Sequence, residues 1–230
     1  MKRGALPEVP LPEHGVRWAD GFLSERACRR ILEELEISFW KPSSVISRQR
    51  DGLLRSYGST RRVSETAHEQ WFSPELRREL RRIEKRVAAM ISTEAARFEE
   101  WQATRYRRGG RFDSHLDTGY WADEPAGERE KTVVIYLDTP DAGGGTRFEE
   151  LGLVVDAKAG RLVTWDNLLA DGEKNPRMLH AAVPVAGGIK TVLVTWVRQR
   201  KVRKQALGGP RWTRRRSFDR SSRSTARSSI

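Results

Sequence analysis

Apolar residues fall at helical spacing in two places along the chain. From Ser24 to Glu36, Ala27, Ile31, Leu32 and Leu35 line one side of a short amphipathic helix. Ser73 and Pro74 then mark a second helix start: a side-chain acceptor for the first turn, followed by a residue with no amide hydrogen to lose. Leu76, Leu80, Ile83, Val87 and Ile91 continue it as one apolar stripe. Both helices are expected to serve as packing support. Between them, residues 41–68 are polar and rich in Arg, Ser and Gly, which predicts a long loop with strand fragments. Long loops in compact domains often act as lids. Residues 1–16, with Pro7, Pro10 and Pro12, predict an irregular lead-in.

After Glu100 the period changes. Short β-rich runs follow one another at Gln102–Tyr106, Lys131–Leu137, Gly152–Asp156, Arg161–Trp165, Leu179–Pro184 and Lys190–Val197. Gly143-Gly144-Gly145, Gly160, Gly172 and Gly187-Gly188 punctuate them. Short strands separated by turns, with no helix between, predict a mostly β fold of the sandwich, barrel or jelly-roll kind, here with two helices packed on it. The expected division is a lead-in at 1–16, one domain at 17–197, and a tail at 198–230. From Gln199 onward the tail is Arg-, Ser- and Gly-rich with scattered apolar residues, a composition that predicts disorder.

Charge changes the picture at one end only. The 230 residues carry a formal net charge of +12, and the tail holds 12 Lys/Arg against one acid, Asp219. Residues 1–197 are thus nearly neutral, and the basic balance describes a tail rather than a basic fold. Contact with a polyanion such as nucleic acid, and a merely solubilising end, fit that tail equally well. Cys28 is the single cysteine, so no intrachain disulfide forms and a reducing compartment is the default. Met1 to Asp20 has no apolar signal region, and no apolar run reaches transmembrane length. These readings predict a cytoplasmic protein without a membrane partner.

The candidate chemistry centres on His115-Leu116-Asp117. Strand alternation would point His115 and Asp117 to one face, two thirds of the two-His, one-carboxylate triad that mounts non-haem Fe(II) with open positions. Of the other three histidines, His14 and His68 lie in polar surroundings and are expected at the surface. His180 lies in the apolar run Leu179–Val185, where it is either a hydrogen-bonded core histidine or the third ligand. Lys190 opens the apolar run that reaches Val197. A lysine inside such a strand needs an anionic partner, unless it occupies the strand's solvent end. Trp196, six residues on, falls on the same face.

Taken in order, these blocks resemble the Fe(II)/2-oxoglutarate dioxygenase superfamily, and within it the prolyl 4-hydroxylase branch. The resemblance rests on Tyr106-x-x-Gly109 leading to His115-x-Asp117, then Ala142-Gly143-Gly144-Gly145-Thr146-x-Phe148 and Leu151-Gly152-Leu153-x-Val155. Gly160, Trp165-x-Asn167-Leu168-Leu169, His180-Ala181-Ala182-x-Pro184-Val185, Gly188-x-Lys190 and Trp196 complete it. Ser114 and Glu149 stand where members often carry proline. The resemblance implies a double-stranded β-helix (jelly roll, cupin-like) core with supporting helices. It implies Fe(II), 2-oxoglutarate and O2 as cofactor and cosubstrates, with ascorbate as an optional addition. His115, Asp117 and His180 would be the iron ligands, and Lys190 would hold the distal carboxylate of 2-oxoglutarate. Tyr106, Thr146 and Trp196 match positions lining the cosubstrate pocket. The implied reaction is hydroxylation of a C–H bond, foremost on a prolyl residue of a peptide or protein. Asp117 weighs against halogenases, in which a small residue replaces the carboxylate, and Lys190 weighs against nucleic-acid demethylases, expected to use arginine there. Two alternatives stand beside this: hydroxylation of a free amino acid or small metabolite, and a catalytically idle cupin-like binding module with a polyanion-binding tail.

Overall fold

The computed structural model describes residues 15–49, 51 and 53–202. His14 and the rest of the lead-in before it, the body of the basic tail and its expected disorder lie outside the described residues. The chain enters on β1 (Val16–Ala19), which starts inside the span expected to be lead-in, and continues into α1 (Glu25–Glu36). Ser24 caps α1, its Oγ accepting from the Ala27 amide at 3.2 Å. The span expected to be a long loop with strand fragments holds β2 (Lys41–Pro42), β3 (Ser44–Arg48), β4 (Leu54–Gly58), β5 (Arg62–Val63) and β6 (Glu65–His68), more strand than loop. These strands are short and mostly solvent-facing, so they lack the alternating apolar positions that announce a half-buried strand. α2 (Pro74–Met90) begins on its predicted cap. Ser73 Oγ accepts from the Leu76 amide at 3.0 Å and donates to Glu34 on α1 at 2.5 Å, so one hydroxyl starts α2 and ties the two helices together.

The β-rich half runs through β7 (Gln102–Tyr106), β8 (Arg111–His115), β9 (Arg129–Tyr136), β10 (Ala142–Gly143), β11 (Thr146–Phe148) and β12 (Leu153–Val155). It ends with β13 (Leu162–Asp166), β14 (His180–Ala182), β15 (Val185–Gly187) and β16 (Lys190–Arg198). The run expected as one strand at Leu179–Pro184 is interrupted before β15, at Val183 and Pro184, the latter having no amide hydrogen for a ladder.

Two main antiparallel sheets result, with the two-stranded ribbons β10-β15 and β3-β4 beside them. The larger is ordered β1-β13-β9-β16-β7-β6-β2 and the smaller β12-β11-β14-β8-β5. Alternation on the central strands explains why the larger sheet is buried on both faces. On β9 and just beyond it, Val133, Ile135 and Leu137 pack with Leu193 and Val197 of β16 against Ile31 and Leu35 of α1 and Leu76, Leu80, Ile83 and Val87 of α2. Their neighbours Val134, Tyr136 and Val192 face the other way, into a second core shared with Phe148, Val155 and Trp165. The architecture is a helix layer on a double-stranded β-helix, with the candidate chemistry between the two sheets. β16 closes it, ending on Arg198 rather than Val197. The Arg198 side chain is buried and donates to the Gly127 carbonyl at 2.8 Å, so this residue belongs to the domain and not to the tail. Among the described residues no helix is long and apolar enough to cross a membrane.

Candidate active site

β14 pairs with β8 so that His180 lies directly opposite His115. Asp117 is not on the strand as expected: β8 ends at His115, and Asp117 sits two residues on, in the following turn. That turn is held from behind by buried Glu128, whose carboxylate accepts from Thr118 Oγ1 at 2.7 Å and from the amides of Gly119 and Trp121. The result brings all three side chains together. Their candidate ligand atoms lie within 4.8 Å of one another. His115 Nε2 is 3.5 Å from one Asp117 oxygen and His180 Nε2 is 3.6 Å from the other.

The surroundings prepare these atoms to bind a cation. His115 Nδ1 lies 2.9 Å from the Asp113 carbonyl, and His180 Nδ1 2.8 Å from the Met178 carbonyl. A carbonyl oxygen only accepts, so each Nδ1 carries a hydrogen and each Nε2 is the ring atom turned toward Asp117. Burial pushes the His180 imidazole down to about 4, helped by the neighbouring His115, so it is neutral at physiological pH. Burial alone would raise the Asp117 carboxyl, but His180, His115 and Arg129 outweigh it and hold that carboxyl below the usual range. Asp117 also accepts from Thr132 Oγ1 at 2.7 Å, and Thr132 accepts from Asn167 Nδ2 at 2.8 Å, a relay that fixes the carboxylate plane. Two imidazoles presenting Nε2 and one ionised carboxylate fit a divalent transition metal.

Inward from the triad, a cavity of about 80 Å³ runs between the sheets, lined by Tyr106, Thr146, Lys190 and Trp196 among others. The four pocket residues expected from the sequence are thus brought to one chamber. Lys190 is 2 % exposed, which removes the solvent-end alternative. Its ammonium lies 4.7 Å from the Tyr106 ring centre and 5.5 Å from that of Tyr136. Among the described residues no carboxylate lies within ion-pair distance of it, and burial pushes it down to about 7, with Asp138 opposing. The indole N–H groups of Trp165 and Trp196, which also line the chamber, are buried without an acceptor. A buried cation and two orphaned donors fit an oxygen-rich anionic ligand. Tyr136 was not singled out in the sequence, where it reads as one more apolar strand position. It donates to or accepts from Thr146 Oγ1 at 2.6 Å and backs the chamber wall.

Outward from the triad, a wider groove of about 350 Å³ opens, sharing Arg62, Phe112, His115, Asp117 and Trp196 with the inner chamber. One wall is the β3–β4 hairpin, contributing Val45, Ile46, Ser56 and Tyr57. His68, expected at the surface, is half-buried in this groove. Arg129 lies against two indoles, its guanidinium 3.9 Å from the Trp121 ring centre and 3.5 Å from that of Trp196, and holds Glu99 at 2.9 and 2.7 Å. Ser114 and Glu149, the two positions that depart from the resemblance pattern, hydrogen-bond to each other beside His115. The departures are thus one contact.

A family model described as "2OG-Fe(II) oxygenase superfamily" matches residues 101–198. The prolyl 4-hydroxylase subunit alpha-2 of Caenorhabditis elegans is 32% identical over 148 residues, 62% of this chain and 27% of that protein. The chain therefore spans about a quarter of the length of this curated relative. Among solved structures, a viral collagen prolyl hydroxylase from Paramecium Bursaria Chlorella virus-1, in a 2OG complex, aligns with a TM-score of 0.60 and 23% identity, covering 80% of this chain and 96% of that one. A Trichoplax adhaerens prolyl hydroxylase in complex with a hypoxia inducible factor peptide fragment aligns with a TM-score of 0.54 and 15% identity, covering 81% and 84%.

Proposed function

We propose, from the match of the 2OG-Fe(II) oxygenase superfamily model to residues 101–198, that this chain is a 2-oxoglutarate-dependent dioxygenase that hydroxylates a prolyl residue in a peptide or protein. The observation that carries the reading is the placing of the triad at the junction of two spaces, a tight chamber ending in an unpaired buried lysine and a wide groove open to solvent. His115, Asp117 and His180 would hold Fe(II), and the bound metal with 2-oxoglutarate and O2 supplies the oxidant that places oxygen on a C–H bond, releasing succinate and carbon dioxide.

The protein's own part is positioning and exclusion of water. Lys190 would take the distal carboxylate of 2-oxoglutarate as a point charge, with Thr146 and the unpartnered indole N–H groups as further donors. Tyr106 and Trp196 would keep the chamber dry, so the lysine's charge acts in a low dielectric. The Asn167–Thr132 relay keeps Asp117 from rotating away from the two imidazoles. The groove is where a substrate chain would lie across the mouth of the chamber. The likeness to peptide-acting prolyl hydroxylases supports a prolyl substrate, and the size of the groove relative to the chamber supports a peptide over a free amino acid. An idle binding module would have no use for a lysine buried at this cost.

The test is a panel of proline-containing peptides and free proline, incubated with the protein, Fe(II), 2-oxoglutarate and air. The expected result is one added oxygen on a peptide proline with matching succinate. Modification of free proline alone would refute the peptidyl reading.

A further inference from the structure

The outer groove is strongly biased in charge. Among the described residues that line it, Asp117 is the single carboxylate, and that one is committed to the triad. Against it stand Lys41, Arg61, Arg62 and Arg129. Two of these are already answered: Arg129 by Glu99, and Arg61 by Asp113 at 3.9 Å. Lys41 and Arg62 have no carboxylate within ion-pair distance among the described residues. The field they make is felt by His68, which lines the same groove. Burial, then Lys41, then Arg62 depress its imidazole, with Glu100 opposing.

Arg62 is the more telling of the two because it is half-buried and held in place. Its guanidinium donates to the Ser44 carbonyl at 3.1 Å, to Ser64 Oγ at 3.3 Å and toward Thr104 Oγ1 at 3.5 Å. It lies 4.7 Å from the centre of the Phe112 ring, and Phe112 stacks on His115 with ring centres 3.7 Å apart. The arginine therefore stands one ring away from a ligand histidine, at the threshold between groove and chamber. All its partners are neutral oxygens, which leave its charge unanswered. A guanidinium so fixed is built for a carboxylate delivered from outside.

We propose that the substrate is an acidic peptide, in which a carboxylate side chain flanking the target proline pairs with Arg62 and so sets that proline over the triad. This rests on the prolyl-peptide reading above. Lys41, more exposed and further out on β2, would favour a second acidic residue along the same chain. A free amino acid could offer its own carboxylate to Arg62, but it would leave the groove beyond the threshold empty.

The experiment compares peptides that differ only in the residue beside proline, aspartate, asparagine or lysine, together with free proline. Each is followed by mass spectrometry and by succinate release with the full chain and its Arg62→Gln and Arg62→Glu variants. The wild type is expected to favour aspartate over asparagine by roughly tenfold or more in kcat/KM, carried by KM. In Arg62→Gln that ratio should fall to near one, and in Arg62→Glu the lysine peptide should overtake the aspartate peptide. Each ratio is taken within one protein, so partial loss of fold cannot mimic the inversion, and the basic tail contributes equally to all three. Fluorescence anisotropy of the labelled peptides on the metal-free protein should show the same ordering. A wild type indifferent to the flanking charge, or an Arg62→Glu variant that still prefers aspartate, would overturn the proposal. Succinate release with oxygen added to free proline and to no peptide would instead bring down the peptidyl reading, and this inference with it.

Discussion

At the scale of single residues, the triad and its lysine were legible because their chemistry is tied to sequence order. His115-x-Asp117, His180 and Lys190 stand at fixed separations, and the fold brings them to one place. Their support was not legible. Thr132 and Glu128 were not singled out, and Asn167 was marked only as part of a matching block, because their roles come from contacts that nothing in the local strand or turn pattern announces. If the triad holds iron, Asp117→Ala and His180→Ala should each abolish succinate formation and remove stoichiometric Fe(II) binding measured by equilibrium dialysis. Retained turnover in either variant would refute the ligand set. Lys190 allows a prediction with opposite signs for stability and binding. Its folded value, about 7, lies below the ordinary lysine value of 10.5. Between those two values the unfolded chain holds more protons than the folded one, so stability rises with pH across that window. The cost of the buried charge is fully present below about 7. Lys190→Met should therefore stabilise the ligand-free protein at pH 6, by roughly 1–4 kcal/mol in a denaturant titration. The same change should weaken 2-oxoglutarate binding by about 2–5 kcal/mol. In the wild type that affinity should fall as pH rises above 7, because the anion needs the protonated lysine. A destabilised Lys190→Met variant would mean the lysine has an unrecognised partner.

Whole elements were legible where a local rule fixes them. Both helices were readable from their apolar stripes, α2 also from the cap at Ser73 and Pro74, and the stripes meet the larger sheet as the spacing predicts. The strand fragments expected within residues 41–68 could not be placed from the sequence: β2 to β5 are short and largely solvent-facing with no alternating apolar pattern, and β6, buried between β7 and β2, is specified by pairing partners distant along the chain. Two predictions belong at this scale. Ser73→Ala removes the α2 cap and the bond to Glu34 together, and should lower stability by roughly 0.5–2 kcal/mol in thermal melts. Turnover per folded molecule should be unchanged, since the helix layer lies on the face of the sheet away from the triad. The β3–β4 hairpin forms one wall of the groove and none of the chamber. Replacing residues 45–57 by a short Gly-Ser turn should raise the KM for peptide while leaving 2-oxoglutarate binding in place, measured by calorimetry. Loss of both would show that the hairpin supports the chamber as well.

For the molecule as a whole, the boundary between domain and tail decides what can be cut away. Composition placed it at Arg198, because charge begins to accumulate there. Packing moves it outward, since charge does not distinguish a solvated arginine from a buried one. Arg198 pairs with Glu99 at 3.2 Å and Glu124 at 2.8 Å, Lys201 with Glu94 at 2.9 Å, and the Val202 amide donates to the Ala96 carbonyl at 2.9 Å. Arg198 and Arg129 share Glu99, and Arg129 lies on Trp196, so the end of β16 is connected through two arginines to the wall of the candidate site. Truncation after Val197 should strip that support and cost both stability and turnover. Truncation after Val202 should spare both, because it leaves every one of these contacts intact. What the second truncation removes is nine Lys/Arg and a single acid. If those cations meet phosphates, the full chain should bind RNA or DNA with an affinity that falls as salt rises, the logarithmic slope counting roughly 0.9 per phosphate neutralised on duplex DNA. The shortened chain should then bind neither. A salt titration of the two proteins side by side settles the matter. Binding that survives the deletion would place the polyanion site on the domain, and binding absent from both would leave the tail a solubilising end.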